Sequence, residues 1–125
     1  MKLGRKKTGG IRTSVRARDK ILAQRGSLPT ETKVEEEDYR EVNNAVGKQQ
    51  KTKLFDAHTA LVVDPKTNKI EKTTIKSVLK NQSNRRFERR NIITKGAEID
   101  TELGPARVTS RPGQSGLIQA VLLKK

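Results

Sequence analysis

Between Ala97 and Leu103 the chain alternates strictly. Ala97, Ile99, Thr101 and Leu103 fall on one parity, Glu98, Asp100 and Glu102 on the other. Helical side chains repeat near 3.6 residues and strand side chains every two, so this segment is a strand with one buried face. A partner follows at once. After Gly104-Pro105, the residues Ala106, Val108 and Ser110 alternate with Arg107, Thr109 and Arg111. A two-residue loop sets Glu102 opposite Arg107 and Glu98 opposite Arg111, pairing opposite charges on the outer face. Proline is unusual in the second position of such a turn, which leaves the register open by one or two residues.

Other segments carry the same signature. Ala60-Leu61-Val62-Val63 reads as a short strand, Asp64-Pro65-Lys66-Thr67-Asn68 as a turn, and Ile70 to Leu79 as a β-branched-rich return strand. Leu117–Leu123 is almost continuously apolar and reads as a strand buried on both faces that closes the sheet. Asn81-Gln82-Ser83-Asn84 signals a turn, and Arg85–Arg90 after it fits either a helical turn or a strand. Short strands and no long helix predict a mainly β fold, a small β-barrel of about six short strands. The barrel body is expected over residues 51–125. An extended basic arm over 1–33 precedes it, and an acidic linker over 34–50 joins the two. Within the arm, Ser14–Gln24 fits a short helix, capped by Ser14 and ended by Gly26.

Charge decides what such a chain meets. It holds 28 Lys and Arg against 14 Asp and Glu in 125 residues, a formal net charge of +14. Residues 1–33 carry a net +8, 34–50 a net −3, 51–95 again +8, and 96–125 only +1. A basic arm attached to a module with one charged face is the footprint of a polyanion binder. Only 31% of the residues are apolar, so part of the chain is expected to become ordered on its partner. No apolar run approaches the roughly 20 residues of a membrane span. The basic start has no apolar stretch behind it, so no secretory signal is expected. No cysteine is present, which excludes disulfides and thiolate sites.

Enzymatic chemistry finds no support. His58 is the only histidine, and beside Ala57 and Thr59 it suits a polar strand edge better than a catalyst. Glu98, Asp100 and Glu102 share a strand face, but Arg107 and Arg111 are better partners for them than a hard cation. Gly9-Gly10 lacks the Gly-x4-Gly-Lys-Ser/Thr spacing of a nucleotide-cradling loop. Catalytic residues, cofactors, metal and small-molecule substrate are therefore expected to be absent.

Binding chemistry is richer. Arg85, Arg86, Arg89 and Arg90 crowd six residues, flanked by Lys80 and Lys95. Guanidinium forks grip phosphate bidentately, and so dense a cluster repels itself on a free surface. In the arm, Lys2, Arg5, Lys6, Lys7, Thr8, Gly9, Gly10, Arg12, Arg16, Arg18, Lys20, Arg25 and Lys33 are candidate RNA contacts, the glycines by letting backbone approach a sugar–phosphate chain. Arg111 beside the Pro112-Gly113 turn can reach a phosphate or pair with Glu98. The only aromatics are Tyr39, Phe55 and Phe87. With so few left once a core is filled, recognition is expected to rest on phosphate and shape rather than stacked bases. No basic recognition helix is evident, which favours structured RNA over DNA.

Several stretches resemble a known family. Arg89-Arg90-Asn91-Ile92-Ile93-Thr94-Lys95-Gly96-Ala97 and Val108-Thr109-Ser110-Arg111-Pro112-Gly113-Gln114-Ser115-Gly116 are similar to the two signatures of the eight-e family of small-subunit ribosomal proteins, in its archaeal form. Lys6-Lys7-Thr8-Gly9-Gly10 and Gly26-Ser27-Leu28-Pro29-Thr30-Glu31-Thr32-Lys33 resemble its N-terminal motifs, in the same order. The resemblance implies a structural constituent of the small subunit in the cytoplasm. It would be bound to ribosomal RNA and neighbouring ribosomal proteins, away from membranes and not as a homo-oligomer. A free RNA-binding module or assembly chaperone is the alternative. Three departures stand out: Ser27 replaces the usual arginine, Gly47-Lys48-Gln49 replaces a Gly-Gly-Asn stretch, and the Glu35–Asp38 run is atypical.

Overall fold

The computed structural model describes residues 4–11, 26 and 28–123. The Ser14–Gln24 helix and the contacts expected at Lys2, Arg12, Arg16, Arg18, Lys20 and Arg25 lie outside the described residues. The elements run β1 (Lys33–Val34), β2 (Tyr39–Asn44), β3 (Gln50–Ala57), β4 (Thr59–Val63), β5 (Ile70–Lys80), α1 (Arg85–Arg89), β6 (Glu98–Thr101), β7 (Gly104–Val108), α2 (Pro112–Ser115) and β8 (Gln119–Leu122).

A mainly β fold with a small closed barrel is what the alternation predicts, and it is what forms. The barrel has five strands, not about six, in the order β4-β5-β6-β7-β8. Closure comes from β8, whose Gln119, Ala120 and Val121 pair in parallel with Leu61, Val62 and Val63 of β4. The long β5 bends to make this possible, with register shifts between Ile75 and Ser77 and between Val78 and Lys80. Barrel diameter grows with the number of strands, so five strands enclose little space, and small and branched side chains fill it. The core is accordingly Ala, Val, Ile and Leu: Ala57, Ala60, Val62, Ile75, Val78, Ile93, Ile99, Ala106, Val108, Ile118 and Ala120 join Leu54. No aromatic residue is in it. The premise that a core would consume the aromatics is therefore overturned.

The β6–β7 hairpin keeps the predicted faces but not the predicted turn. Glu98 opposes Arg107 and Thr101 opposes Gly104, so the loop is Glu102-Leu103 and Pro105 lies in a strand. Gly104 explains the slide, because its φ of +120° just after the loop suits glycine alone. The displacement is even, which preserves parity: Ala97, Ile99, Thr101, Ala106 and Val108 are all buried. Leu103, now in the turn, is exposed. Arg107 takes Glu98 at 3.0 Å in place of Arg111. β8 is buried on one face rather than two, for Leu117 is 43% exposed while Ile118 and Ala120 are buried.

Residues 34–50 are not simply a linker. All of β2 lies there, antiparallel to β3, and β1 pairs in parallel on the other side of β3. The three form a second sheet that shares the barrel's core through Leu54 and Ala57. The substituted Gly47-Lys48 pair makes the β2–β3 connection, with φ of +76° and +61°. The end of the expected arm is also built into the body. Buried Thr32 donates its hydroxyl to the Leu54 carbonyl at 2.6 Å, and its own carbonyl accepts from the Ile93 N–H at 2.8 Å.

Candidate nucleic-acid interface

α1 settles the helix-or-strand alternative at Arg85 in favour of a helix, and its placement is enforced by amides. Asn84 is the N-cap, its side chain accepting from the Arg86 N–H at 2.9 Å. Buried Asn81, expected only as part of a turn, is the anchor. Its amide donates to the Ile92 carbonyl at 3.0 Å, and its side-chain oxygen accepts from the Ser83 N–H and the Thr94 hydroxyl. Glu88 reaches back to accept from the Asn81 N–H at 3.0 Å. The helix's one acidic residue is thereby occupied. Arg85, Arg86 and Arg89 line an open cleft of about 360 Å³ with Asn84, and no carboxylate among the described residues neutralises them. Three guanidiniums lining one cleft, none of them in an ion pair among the described residues, create a positive local field for a polyanion.

Arg90 is placed differently. At the C-cap of α1 its guanidinium pairs with Glu31. Lys33, on β1, stands in register with Asp56 on β3. The N-terminal candidates form a small hairpin: Arg5 bridges Ile11, the Lys6 N–H donates to the Gly10 carbonyl at 2.8 Å, and the Gly9 N–H donates to the Lys6 carbonyl at 3.0 Å. Gly9 takes φ +84° there, a conformation that a side chain would resist. Lys6, Lys7 and Thr8 are exposed around this turn. Lys95 is exposed in the turn before Gly96, and Arg111 is exposed at the N-cap of α2. Of the described sequence candidates, the structure gathers Arg85, Arg86 and Arg89 in one cleft, puts Lys33 and Arg90 on a second groove, and sets the rest on separate turns and edges.

Lys72 and Lys76 were not singled out by sequence, yet both are exposed on β5, which ends at exposed Lys80 and leads into the bend before α1. Their recurrence every four residues in a β-branched strand was the available signal.

The Ser110–Gly116 stretch is a fastening. Pro112 is buried at the start of α2. A Cβ on Gly113 would come within 3.2 Å of Thr30, and Gly116 adopts φ +66° against Thr52. The Gly116 carbonyl accepts from Arg40 Nε at 2.8 Å, and Arg40 also pairs with Asp38 at 3.0 Å. Asp38 closes the seam where the chain leaves the second sheet for the barrel. Its carboxylate accepts from the His58 N–H at 2.7 Å, the Thr59 N–H at 3.1 Å and the Thr59 hydroxyl at 2.7 Å. Burial works to raise its pKa, but these hydrogen bonds and Arg40 outweigh it and hold the value at about 2. One member of the acidic run is thus structural, while Glu35, Glu36 and Glu37 are exposed.

Comparison with known proteins bears on the whole of this architecture. The family model described as ribosomal protein S8e matches residues 1–123. The small ribosomal subunit protein eS8 of Sulfolobus acidocaldarius is 46% identical over 121 residues, covering 97% of this chain and 93% of that one. The protein of the same name from Methanococcus aeolicus is 42% identical over 121 residues, with 97% and 93% covered. That of Saccharolobus solfataricus is 45% identical over 120 residues, with 96% and 89% covered.

Proposed function

Because this chain belongs to the ribosomal protein S8e family, we propose that it is a structural constituent of the small ribosomal subunit, holding folded ribosomal RNA chiefly through phosphate and shape contacts. The observation that carries the RNA reading is the Arg85–Arg86–Arg89 cleft, positioned by Asn81, Asn84 and Glu88, with none of its three arginines in an ion pair among the described residues. Phosphate oxygens match guanidinium forks, and multivalent neutralisation of a backbone gives affinity without reading sequence. The N-terminal hairpin with Lys6 and Lys7, and the exposed lysines of β5, add points of phosphate contact. The seam through Asp38, Arg40 and Gly116 holds the two sheets in one orientation, as shape recognition of a folded RNA requires. Its role is architectural rather than catalytic, exercised in the cytoplasm within the ribosome beside neighbouring ribosomal proteins.

Sedimentation of cell extract tests this. The protein is expected to remain with the small-subunit fraction through a high-salt wash. Release at mild salt, with the protein running free, would instead indicate an RNA-binding module or assembly chaperone that visits transiently.

A further inference from the structure

Two of the chain's three aromatic side chains lie outside the core and against each other. Tyr39, at the start of β2, and Phe55, on β3, have ring centroids 6.0 Å apart and planes tilted by 47°. Tyr39 is 57% exposed although its neighbours offer apolar surface, and Leu28, 90% exposed, forms another wall of the same open groove of about 540 Å³. The groove's remaining rim is charged in both senses: Lys33 and Arg90 are set beside Asp56 and Glu31.

We propose that this groove is a stacking site for one unpaired RNA base, packed on the Tyr39 ring with its sugar and phosphate among the charged groups of the rim. The proposal rests on the reading of the chain as an RNA binder. The chemistry on each wall has a counterpart in a nucleotide. A base face stacks on an aromatic ring, a phosphate needs a cation, and the base edge and ribose 2′-OH offer donors for carboxylates. An aliphatic segment from another protein fits the floor, but its side chains would strip water from four charged groups and offer them no partner. The groove is also tied to the proposed interface along the chain, since its Arg90 is the C-cap of the helix that carries Arg85, Arg86 and Arg89. Aromatic stacking of bases was not expected from the composition. It becomes available because both rings lie on the second sheet, Phe55 on the opposite parity to buried Leu54.

The chain contains one tyrosine and no tryptophan, so Tyr39 is a single-site fluorescent reporter. The full-length protein is titrated at low salt with octa-adenylate RNA and, separately, with inorganic polyphosphate. Binding is followed in parallel by anisotropy of labelled RNA and by polyphosphate competition. Octa-adenylate is expected to quench tyrosine emission while polyphosphate at saturation leaves it unchanged. Tyr39→Leu should weaken RNA binding about tenfold, and Tyr39→Phe, which keeps the ring, should bind as the unaltered protein does. RNA that binds without quenching, or Tyr39→Leu binding at full strength, overturns the stacking site and leaves phosphate-based RNA binding intact. The groove would then fit an apolar segment of a neighbouring protein. Equal quenching by polyphosphate likewise overturns it. Failure of the unaltered protein to bind octa-adenylate overturns the stacking site, and failure to bind polyphosphate as well overturns the phosphate-based reading.

Discussion

Gly116 packs so tightly on Thr52 that a Cβ added to it would lie 2.5 Å from the threonine Cγ2 and 2.8 Å from its Cβ. The contact joins the loop after β7 to the middle of β3, two elements from different sheets. With a φ of +66°, the position disfavours side chains on conformational grounds as well. Gly116→Ala is expected to destabilise the fold by about 2–4 kcal/mol, combining overpacking with backbone strain. Chemical denaturation would measure it. Adding Thr52→Ser, which removes the offending methyl, should recover part of the stability, and no recovery would mean that the strain alone dominates.

The Asp38 carboxylate sets an acid limit on the seam. Its folded pKa, at about 2, lies below the ordinary value of 3.8, so its contribution is fully present above about pH 4 and is lost as pH falls toward 2. Asp38→Ala should cost about 2 kcal/mol at neutral pH, because the His58 and Thr59 donors lose their acceptor. Between pH 4 and pH 2 the stability gap between the two proteins should narrow. A constant gap across that range would show that the carboxylate charge contributes nothing.

Removing the arginine cleft should act on affinity rather than folding. Arg85→Ala, Arg86→Ala and Arg89→Ala together are expected to lower the salt slope of RNA binding by about 2–3, since each phosphate that goes unneutralised reduces it by roughly one. Arg90→Ala alone should change the slope less, since its guanidinium is engaged by Glu31. Binding isotherms from low to moderate salt distinguish the two. An equal effect from Arg90 would relocate the interface toward the groove.

The arm's end point can be found by truncation. Sequence alone suggests that residues 1–33 can be removed from a folded barrel. The structure places Thr32 in the core and Lys33–Val34 in a sheet. Loss of residues 1–26 is therefore expected to spare the melting temperature while reducing RNA affinity. Loss of 1–33 should lower the melting temperature as well, by leaving the Leu54 carbonyl without its donor. If both truncated chains melt alike, the Thr32 hydrogen bonds are energetically silent.

Glu98 and Arg107 offer a contrast. Their ion pair is largely solvated, with the arginine side chain 48% exposed, and a double-mutant cycle should return only about 0.5 kcal/mol.

Local pattern was enough to establish the strands around Ala60, Ile70, Ile99 and Val108, the turn at Asp64, and the faces of β6 and β7. Parity is a property of neighbouring residues, and it survives an even slide in register. The basic character and its division between the N-terminal stretch and the Arg85–Arg90 cluster were equally legible, because charge is counted residue by residue. The motif resemblance supplied the family, which composition had no means to give. Tertiary structure decided the rest. The number of barrel strands depends on where β8 finds β4, a parallel pairing between segments far apart in the chain, with no local signature. Asp38 became a structural residue, and Gly116 a packing contact, only when distant segments met them. Tyr39 and Phe55 stay outside the core because they belong to β2 and β3 of the second sheet, where Phe55 alternates with buried Leu54 and Tyr39 opens an exposed strand. The alternation that announced the strands carried no information about which sheet each would join, and that assembly determined which side chains stay exposed.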